Sequence, residues 1–244
     1  VFLPDEDQDW ASFDMNSFEV RVFAHLVNNE MILNKYREDE LADFHKMVAD
    51  LTGLPRNATY SGQPNAKQLN LSMIFNSGNG AIAEKMGMPW EWNSFRKGNE
   101  VFTYKKAGPE AEAVIADYHQ RLPGVKNLAE RAKAAAEAHG YVQTRHGRRL
   151  RFPRKFKTYK ASGLAIQATA ADINKEMWLL TENIGCGHLI MNTHDSYEFS
   201  VKKGTDALEL KNYLQNEIRK AVPWFRVPLV LDLNGIGDNY WSAQ

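Results

Sequence analysis

The chain has 244 residues, and its 30 basic and 30 acidic side chains give a formal net charge of zero. Hydrophobic residues make up 43% and aromatic residues 11%, which excludes a disordered tail or a fibre and predicts a chain that buries a core. The acidic first residues and the lack of a long apolar run predict a soluble protein without a signal peptide or a membrane partner. A single cysteine, Cys186, excludes an internal disulfide and a cysteine-rich zinc site. Zero net charge, taken alone, argues against nucleic acid as a partner.

The first half of the chain combines one strand with several helices. The hydrophobic pattern predicts a buried strand over 10–15 that is followed at once by a helix. Asn16 or Ser17 can cap this helix, and Glu19 lies at capping-box spacing from Asn16. Further helices are predicted over 38–51, 64–75, 110–121, 124–139 and 165–182, with a turn at 76–80. The aromatic-rich segment 89–108 gives no firm assignment.

The last part of the chain predicts a β-hairpin, a helix and a final strand. The hairpin strands, around 189–191 and 197–201, flank a tight turn at His194-Asp195. The helix has apolar residues on one stripe between 210 and 222, and the last strand covers 227–233. Because strands lie at the two ends and helices between them, we expect an α+β fold in which one antiparallel sheet contains a large helical insertion.

Two carboxylates, Asp14 at the end of the first strand and Asp195 in the hairpin turn, are candidates for chemistry. Apolar residues surround both in the sequence, so both acids lie at the rim of a sheet if their strands are central. Two carboxylates that converge there can hold a pair of divalent ions about 3.5–4 Å apart, as in phosphoryl-transfer enzymes. Alternatively, Asp14 only caps a helix and Asp195 only favours a turn.

The predicted helix at 64–75 supplies a second candidate. Four side chains recur every four residues along one face: Gln63, Lys67, Leu71 and Phe75. With a rise of about 1.5 Å per residue, Lys67 and Phe75 are about 12 Å apart, which spans the distance from a triphosphate to a base. The helix dipole also favours anions near Lys67. An ordinary amphipathic helix with a solvent-facing lysine gives the same pattern.

A dense basic run forms the third candidate. It consists of Arg145, His146, Arg148, Arg149, Arg151, Arg154, Lys155, Lys157 and Lys160. Aromatic residues are interspersed in this run, and no acidic residue neutralises it. Such runs are usually solvated surface, but this density also fits a nucleic-acid backbone.

These pieces occur in an order that resembles the family A DNA polymerases, the class of bacterial DNA polymerase I and many phage replicases. The segments that resemble motifs A, B and C are 14–26 (DMNSFEVRVFAHL), 65–71 (NAKQLNL) and 193–196 (THDS). Further matching segments are 123–126, 140–144, 147–149, 167–172, 227–229 and 237–241. The resemblance covers nearly the whole chain, and its details look viral rather than bacterial.

The resemblance implies a right-hand polymerase fold with the thumb and exonuclease absent. Residues 1–28 and 165–244 are expected to form the palm, and residues 29–164 the fingers with the motif B helix. The implied activity is template-directed addition of deoxynucleoside triphosphates to a primer 3′-hydroxyl. The implied partner is primer-template DNA, and the implied location is the cytoplasm of a bacterium or a phage-infected host.

The resemblance also assigns roles to single residues. Asp14 and Asp195 would bind two Mg²⁺ ions, which Mn²⁺ can replace. Lys67 and His45 would contact the nucleotide phosphates, and Glu19 would exclude a 2′-hydroxyl. The implied nucleotide-binding set is His45, Lys67, Leu71, Phe75, Glu19 and Gln63. The implied DNA-binding set is Arg21, Arg148, Arg149, Gln167 and His194.

Three positions depart from the family pattern. Gln63 replaces an Arg that contacts phosphate, a role that Arg56 could take over. Leu71 replaces an aromatic residue, and Ser196 replaces the acid after Asp195. Two alternatives therefore remain open. One is a single-subunit RNA polymerase, against which Glu19 argues, and the other is a DNA-binding module with weakened catalysis.

Overall fold

The computed structural model describes residues 2–182 and 184–244, except for the side chain of Lys97. The chain divides into two compact units. The first unit contains the chain up to His25 together with Leu33–Leu41 and Gln167–Gln244, and the second contains Leu26–Ile32 and Ala42–Ile166. Within the described residues, no helix is both long and apolar enough to span a membrane.

Strands and helices follow each other in a mixed order along the chain. They are β1 (Gln8–Met15), α1 (Phe18–Val27), α2 (Glu30–Glu38), α3 (Phe44–Thr52), α4 (Ala66–Ile74), α5 (Asn79–Lys85), β2 (Trp90–Lys97), β3 (Glu100–Ala107), α6 (Pro109–Arg121), α7 (Pro123–His139), β4 (Tyr141–Gln143), β5 (Arg149–Arg151), α8 (Ala161–Thr181), β6 (Gly187–Thr193), β7 (Ser196–Lys202), α9 (Ala207–Ala221) and β8 (Leu231–Gly237). Short 3₁₀ turns cover Pro153–Lys155, Thr158–Lys160 and Tyr240–Ala243.

The first unit contains a four-stranded antiparallel sheet in the order β6-β7-β1-β8. Asp14 on β1 is opposite Ser196 on β7 and Asp232 on β8, so these three residues share one polar face. The neighbouring pair Phe13 and Tyr197 lies on the other face and is fully buried. The sheet thus has one apolar face that forms a core and one polar face that presents carboxylates.

Helix α9 covers part of this sheet. Its apolar stripe is buried as predicted: Leu210, Leu214, Ile218 and Val222. The Gln215 side chain accepts a hydrogen bond from the Leu231 backbone N–H, which ties α9 to the start of β8. The predicted sheet with its hairpin turn at His194-Asp195 and the α+β fold class are confirmed.

The last strand begins at Leu231, four residues later than predicted. The carbonyls before it have other partners. Those of Pro228, Leu229 and Val230 accept hydrogen bonds from the Arg21 side chain, the Arg219 side chain and the Asn16 backbone N–H. Because these groups bond to helix and loop residues, the segment 227–230 is not part of the ladder.

Helix starts account for further differences from the sequence prediction. The helix predicted over 38–51 begins only at Phe44, because the Asp43 side chain accepts from the His45 and Lys46 backbone N–H groups. The predicted Asn16 capping box is wrong. The Asn16 side chain bonds to Arg21 and Asp232 instead. The turn predicted at 76–80 is also shorter than expected, since α5 begins at Asn79.

The second unit contains helices α3 to α7 and two separate hairpins. The segment 89–108, which the sequence left unassigned, forms the β2–β3 hairpin, with a left-handed Gly98 at its turn. Five of its large apolar side chains are exposed: Trp92, Phe95, Val101, Phe102 and Tyr104. Apolar residues occupy both faces of this ribbon, so the alternation that would identify a half-buried strand is missing.

Candidate active site

The two candidate carboxylates lie at the same edge of the first unit's sheet. Asp14 is the second-last residue of β1, and Asp195 lies in the two-residue turn between β6 and β7. The Met15 backbone N–H donates to the Asp195 carbonyl at 2.9 Å, and Asp14 pairs with Ser196. The register of β1 and β7 therefore brings the backbones of both aspartates together.

Asn234 supports Asp14 from the neighbouring strand. A β-bulge between Ser12 and Phe13 leaves Asn234 as an extra residue on β8. Its side-chain amide donates to Asp14 Oδ2 at 2.9 Å and to Ser12 Oγ at 3.1 Å. Sequence patterns do not predict this contact, because the residues are 220 positions apart and a bulge cannot be read from the pattern.

His194 lies between two acids. Its side chain is 65% exposed, with Nδ1 at 3.3 Å from Asp195 Oδ1 and Nε2 at 3.6 Å from Glu19 Oε1. Burial raises the pKa of Glu19, whereas the nearby His194 opposes this shift and Asp195 adds to it. The His194 carbonyl accepts from Asn174 Nδ2 at 2.6 Å, and Asn174 Oδ1 accepts from the Tyr197 hydroxyl. Asn174 thereby fixes the turn that carries Asp195.

Glu198 on β7 is a further acid of this face that the sequence prediction missed. It is 1% exposed. Its carboxylate accepts hydrogen bonds from Trp10, Ser12, Ser196 and Gln244. The carboxylate is therefore embedded behind the edge that carries Asp14.

The donor set at this edge fits a magnesium ion that completes its shell with other oxygens. Within the residues that the structure describes, no group of three or more His, Cys, Asp or Glu side chains is placed to hold a metal ion. Mg²⁺ is usually bound by one or two carboxylates, with the remaining oxygens from water and substrate phosphates. Asp14 and Asp195 are such a pair of oxygen donors.

Arg21, which was predicted to contact DNA, is buried inside the first unit. Its guanidinium donates to the carbonyls of Asn16, Pro228 and Glu40 and to the Asn16 side chain. It also lies 5.0 Å above the Tyr36 ring, and burial lowers its pKa. These contacts describe a residue that holds α1 to its neighbours, and its position gives no support to a DNA contact.

In the second unit, Lys67 is exposed in the first turn of α4. Asn65 caps this helix by accepting from the Gln68 N–H at 2.9 Å, and the Lys67 N–H donates to the Arg56 carbonyl. Leu71 is half-buried one turn further along. Phe75, also half-buried, caps the C-terminal end of α4. Lys67 and Leu71 therefore lie on one face of α4, as the spacing predicts.

Gln63 and Arg56 are both engaged near the start of this helix. Gln63 Oε1 accepts from the Thr59 backbone N–H at 2.6 Å and from its hydroxyl at 2.9 Å. Arg56 Nε donates to Asp43 Oδ2 at 2.5 Å. Burial raises the pKa of Asp43, but the bonds from Arg56 and two backbone amides outweigh it and hold the value below its usual range. Gln63, which stands where the family has an Arg, thus orders the loop at Thr59.

His45 is buried at one end of a polar chain whose central member is Asn70. Asn70 Nδ2 donates to His45 Nδ1 at 3.0 Å, and Asn70 Oδ1 accepts from the Tyr118 hydroxyl at 2.9 Å. Burial lowers the pKa of His45, although Asp43 opposes that shift. Asn70 and Tyr118 were missed by the sequence reasoning because 48 positions separate them.

The basic run covers the loop between β4 and β5, strand β5 itself and the two 3₁₀ turns that follow. Arg149 on β5 is exposed and lies 4.8 Å above the Tyr141 ring, whereas Arg148 is half-buried. Phe152 belongs to a buried cluster with Ala136, Val142 and Ala161. Gln167, in the first unit, is exposed on α8.

The antiparallel sheet with paired acids, together with a helical unit carrying Lys67, has the fold of a right-hand polymerase. The chain belongs to DNA polymerase family A, whose sequence profile matches residues 1–242. It is 53% identical to DNA polymerase DpoZ of Vibrio phage phiVC8 and 41% identical to DpoZ of Salmonella phage PMBT28, and it covers 39% and 40% of those proteins. All of this chain is aligned in both cases.

More distant relatives agree in fold and family. DNA polymerase I of Streptococcus pneumoniae R6 is 28% identical over the whole chain, which covers 27% of that protein. The POL domain of Pol1 from M. smegmatis, solved with DNA primer-template and dNTP, is similar with a TM-score of 0.77 at 20% identity. The match covers 99% of this chain and 41% of that structure. The chain therefore spans about two fifths of the phage relatives that it matches.

Proposed function

We propose that this chain carries the active centre for template-directed DNA synthesis, in which a deoxynucleotide is added to a primer 3′-hydroxyl. The observation that carries the proposal is the meeting of Asp14 and Asp195 at one edge of an antiparallel sheet in a family A chain. The names of the phage and bacterial relatives support it.

In this proposal, Asp14 and Asp195 bind the metal ions that the reaction needs. Two bound Mg²⁺ ions would supply an activated primer hydroxyl and neutralise charge on the leaving pyrophosphate. Asn234 orients the Asp14 carboxylate through Oδ2, and Asn174 holds the turn of Asp195. The chain's own contribution is therefore to fix two carboxylates before substrate arrives.

The second unit supplies the contacts to the incoming nucleotide. Lys67 neutralises phosphate charge at the N-terminal end of α4, where the helix dipole also favours anions. His45 assists at the same phosphates, and Leu71 and Phe75 face the base. Gln63 contributes by shaping the loop at Thr59 rather than by charge.

The proposal also assigns residues that exclude ribonucleotides and residues that bind DNA. Glu19, partly buried beside His194, closes against a ribose 2′-hydroxyl. Arg148 and Arg149 contact the duplex backbone, and Gln167 and His194 line the primer terminus. We assign the palm to residues 1–28 and 165–244 and the fingers to 29–164. This division differs from that of the two compact units at 26–28, 33–41 and 165–166. The phage relatives suggest action in the cytoplasm of an infected bacterium.

Primer extension by the natural polypeptide that carries this chain tests the proposal. We expect Mg²⁺-dependent extension that copies the template. Asp14→Ala or Asp195→Ala should slow it by about 10³-fold or more, because several kcal/mol of charge stabilisation are lost. Glu209→Gln, an exposed carboxylate on α9, serves as the control. An aspartate variant that keeps its melting temperature and extends at the normal rate would contradict the metal assignment.

The same assay separates the two other candidates. A single-subunit RNA polymerase would incorporate ribonucleotides in preference to deoxynucleotides. A binding module would bind primer-template with a steep salt dependence but show no metal-dependent incorporation. The partly buried Glu19 favours deoxynucleotide use over the RNA polymerase alternative.

A further inference from the structure

Glu198 is a buried acid that the proposed chemistry does not use. It lies on β7, three residues after Asp195, and is 1% exposed. Side chains of this kind are seldom fully buried unless hydrogen bonds replace the lost water. Its partners therefore indicate what the residue does in the first unit.

Each partner of Glu198 donates a hydrogen to it. Trp10 Nε1 donates to Oε2 at 2.6 Å. Ser196 Oγ, Ser12 Oγ and Gln244 Nε2 donate to Oε1 at 2.7, 3.1 and 3.5 Å. A carboxylate can accept on both oxygens at once, which no other side chain of this size does. The position thus requires an acceptor-only group.

One hydrogen-bond route leads from Glu198 to Asp14. Ser12 gives its hydroxyl hydrogen to Glu198, so its oxygen is oriented to accept from the Asn234 amide at 3.1 Å. The same amide nitrogen donates to Asp14 Oδ2 at 2.9 Å. The orientation of the Asp14 carboxylate is therefore linked to the Glu198 carboxylate through two side chains.

A second route leads from Glu198 to the residue that follows Asp195. Ser196 occupies the position at which the family motif has an acid, and its hydroxyl donates to Glu198. Asp14 and Ser196 are direct partners across β1 and β7. One buried carboxylate thus bonds to a side chain close to each of the two aspartates.

We propose that Glu198 is a positioning residue that fixes the geometry of Asp14 and Asp195 for metal binding through these two routes. The inference rests on the proposed function, since it takes the two aspartates as the metal-binding groups. In this chain Ser196 stands where the family has an acid, and the buried Glu198 orients the two aspartates through hydrogen bonds instead.

Glu198→Gln separates this role from mere packing. The variant keeps the shape, but its amide group must face either Trp10, which is itself a donor, or the two serines. A serine that accepts from this amide no longer donates to position 198, so the route to Asn234 is disturbed. The control is Glu209→Gln, which changes an exposed carboxylate on α9.

The first readout is Mn²⁺ binding to the natural polypeptide that carries this chain, followed by electron paramagnetic resonance. We expect Glu198→Gln to weaken binding by about tenfold or more, as for outer residues that orient metal ligands. Asp14→Asn should weaken the same site. Unchanged Mn²⁺ affinity in Glu198→Gln, or no site that depends on Asp14, would overturn the proposal.

The second readout is primer extension by the natural polypeptide. Glu198→Gln should lower kcat by about tenfold while KM for the nucleotide stays within about twofold. A normal kcat would overturn the proposal. If the unmodified protein does not extend primers at all, the proposed function fails, and the Mn²⁺ comparison still decides the role of Glu198.

Asn234→Ala tests the route itself. This exposed residue can be changed without opening the core, so it decides the question even if Glu198→Gln fails to fold. We expect weaker Mn²⁺ binding in Asn234→Ala, and a double variant no weaker than the more affected single variant. Wild-type affinity in Asn234→Ala, or fully additive effects in the double variant, would show that Glu198 does not act through Asn234.

Discussion

Asp14 in the first unit and Lys67 in the second unit are held in opposite ways. Asp14 accepts from Asn234, which also bonds to Ser12 above the buried Glu198. Lys67 extends from an exposed position of α4, and the fixed contacts of that helix start are made by backbone groups and by its cap. A carboxylate that binds a metal must be placed to about 0.5 Å, whereas a lysine can reach a phosphate on a flexible stem.

The two units also differ in what their buried polar side chains are bonded to. In the first unit, the hydrogen bonds of Glu198 lead to Asp14 through the side chains of Ser12 and Asn234. In the second unit, the buried chain from His45 through Asn70 to Tyr118 joins helices α3, α4 and α6. We therefore expect changes in the first network to affect metal binding, and changes in the second to affect stability.

Asn70→Ala should have the largest effect on stability. It removes a fully buried amide and leaves the Tyr118 hydroxyl and His45 Nδ1 without their bonds, at a cost of about 2–3 kcal/mol. Urea unfolding of the chain measures the change. Lys46→Ala, which breaks an exposed ion pair with Asp50, is the control and should cost less than about 0.5 kcal/mol. Equal losses in both variants would contradict a structural role for the buried chain.

Lys67→Ala should affect nucleotide use rather than folding. Because Lys67 is exposed, we expect an unchanged melting temperature and a KM for the nucleotide that rises by about tenfold, which corresponds to about 1.4 kcal/mol. Steady-state primer extension with varied nucleotide concentration measures it. Lys126→Ala, at another exposed lysine in the second unit, is the control. A KM equal to that of the unmodified protein would remove Lys67 from the phosphate site.

Buried histidines should make the stability of both units depend on pH. Burial, with a smaller effect of Arg226, lowers the pKa of His25 to about 4, and burial also lowers that of His45. Below about pH 6.5 these histidines bind protons in the unfolded chain but stay neutral in the folded chain. The free energy of unfolding therefore falls as the pH drops toward 4. We expect the melting temperature to fall by about 2–6 °C over this range.

Single histidine variants assign this pH dependence to each unit. His25→Gln should flatten the dependence that comes from the first unit, and His45→Gln should reduce the part that comes from the second. Thermal melts at several pH values measure both slopes. A slope that neither variant reduces would show that other groups control the acid sensitivity.

Leu71→Phe should have the smallest effect. Leu71 is half-buried one turn beyond Lys67, so an added ring would enlarge the apolar surface next to the proposed nucleotide. We expect dideoxynucleotide use to change by a few-fold, with little effect on stability. Competition between dideoxy- and deoxynucleotides in primer extension measures it. Unchanged discrimination would mean that this face of α4 does not meet the nucleotide.

Local patterns in the sequence were enough for the parts of the fold that depend on neighbouring residues. The alternation on β7 predicted the hairpin that carries Asp195, and the four-residue spacing predicted the face of α4. The supporting residues could not be found in this way. Ser12 and Glu198 are 186 positions apart, so their contact depends on strand register rather than on a motif.

The β2–β3 hairpin and the helix starts show a second limit. Apolar residues lie on both faces of this hairpin, and most of them are exposed. The alternation of apolar and polar residues that identifies a half-buried strand is therefore missing. At Asn16, the sequence favours a cap, but the side chain bonds across the first unit to Asp232 instead. At Asn16, a tertiary contact therefore outweighs the local preference.

The most direct test of the proposed active centre is a single-turnover nucleotide titration of the unmodified protein, Asp195→Asn and Lys67→Ala, each in the natural polypeptide. We expect the maximal rate of Asp195→Asn to fall by about 10³-fold while its nucleotide affinity stays nearly unchanged. We expect the reverse for Lys67→Ala, with affinity lost and most of the maximal rate kept. Two variants with the same pattern of loss, or a fully active Asp195→Asn, would contradict the proposed active centre.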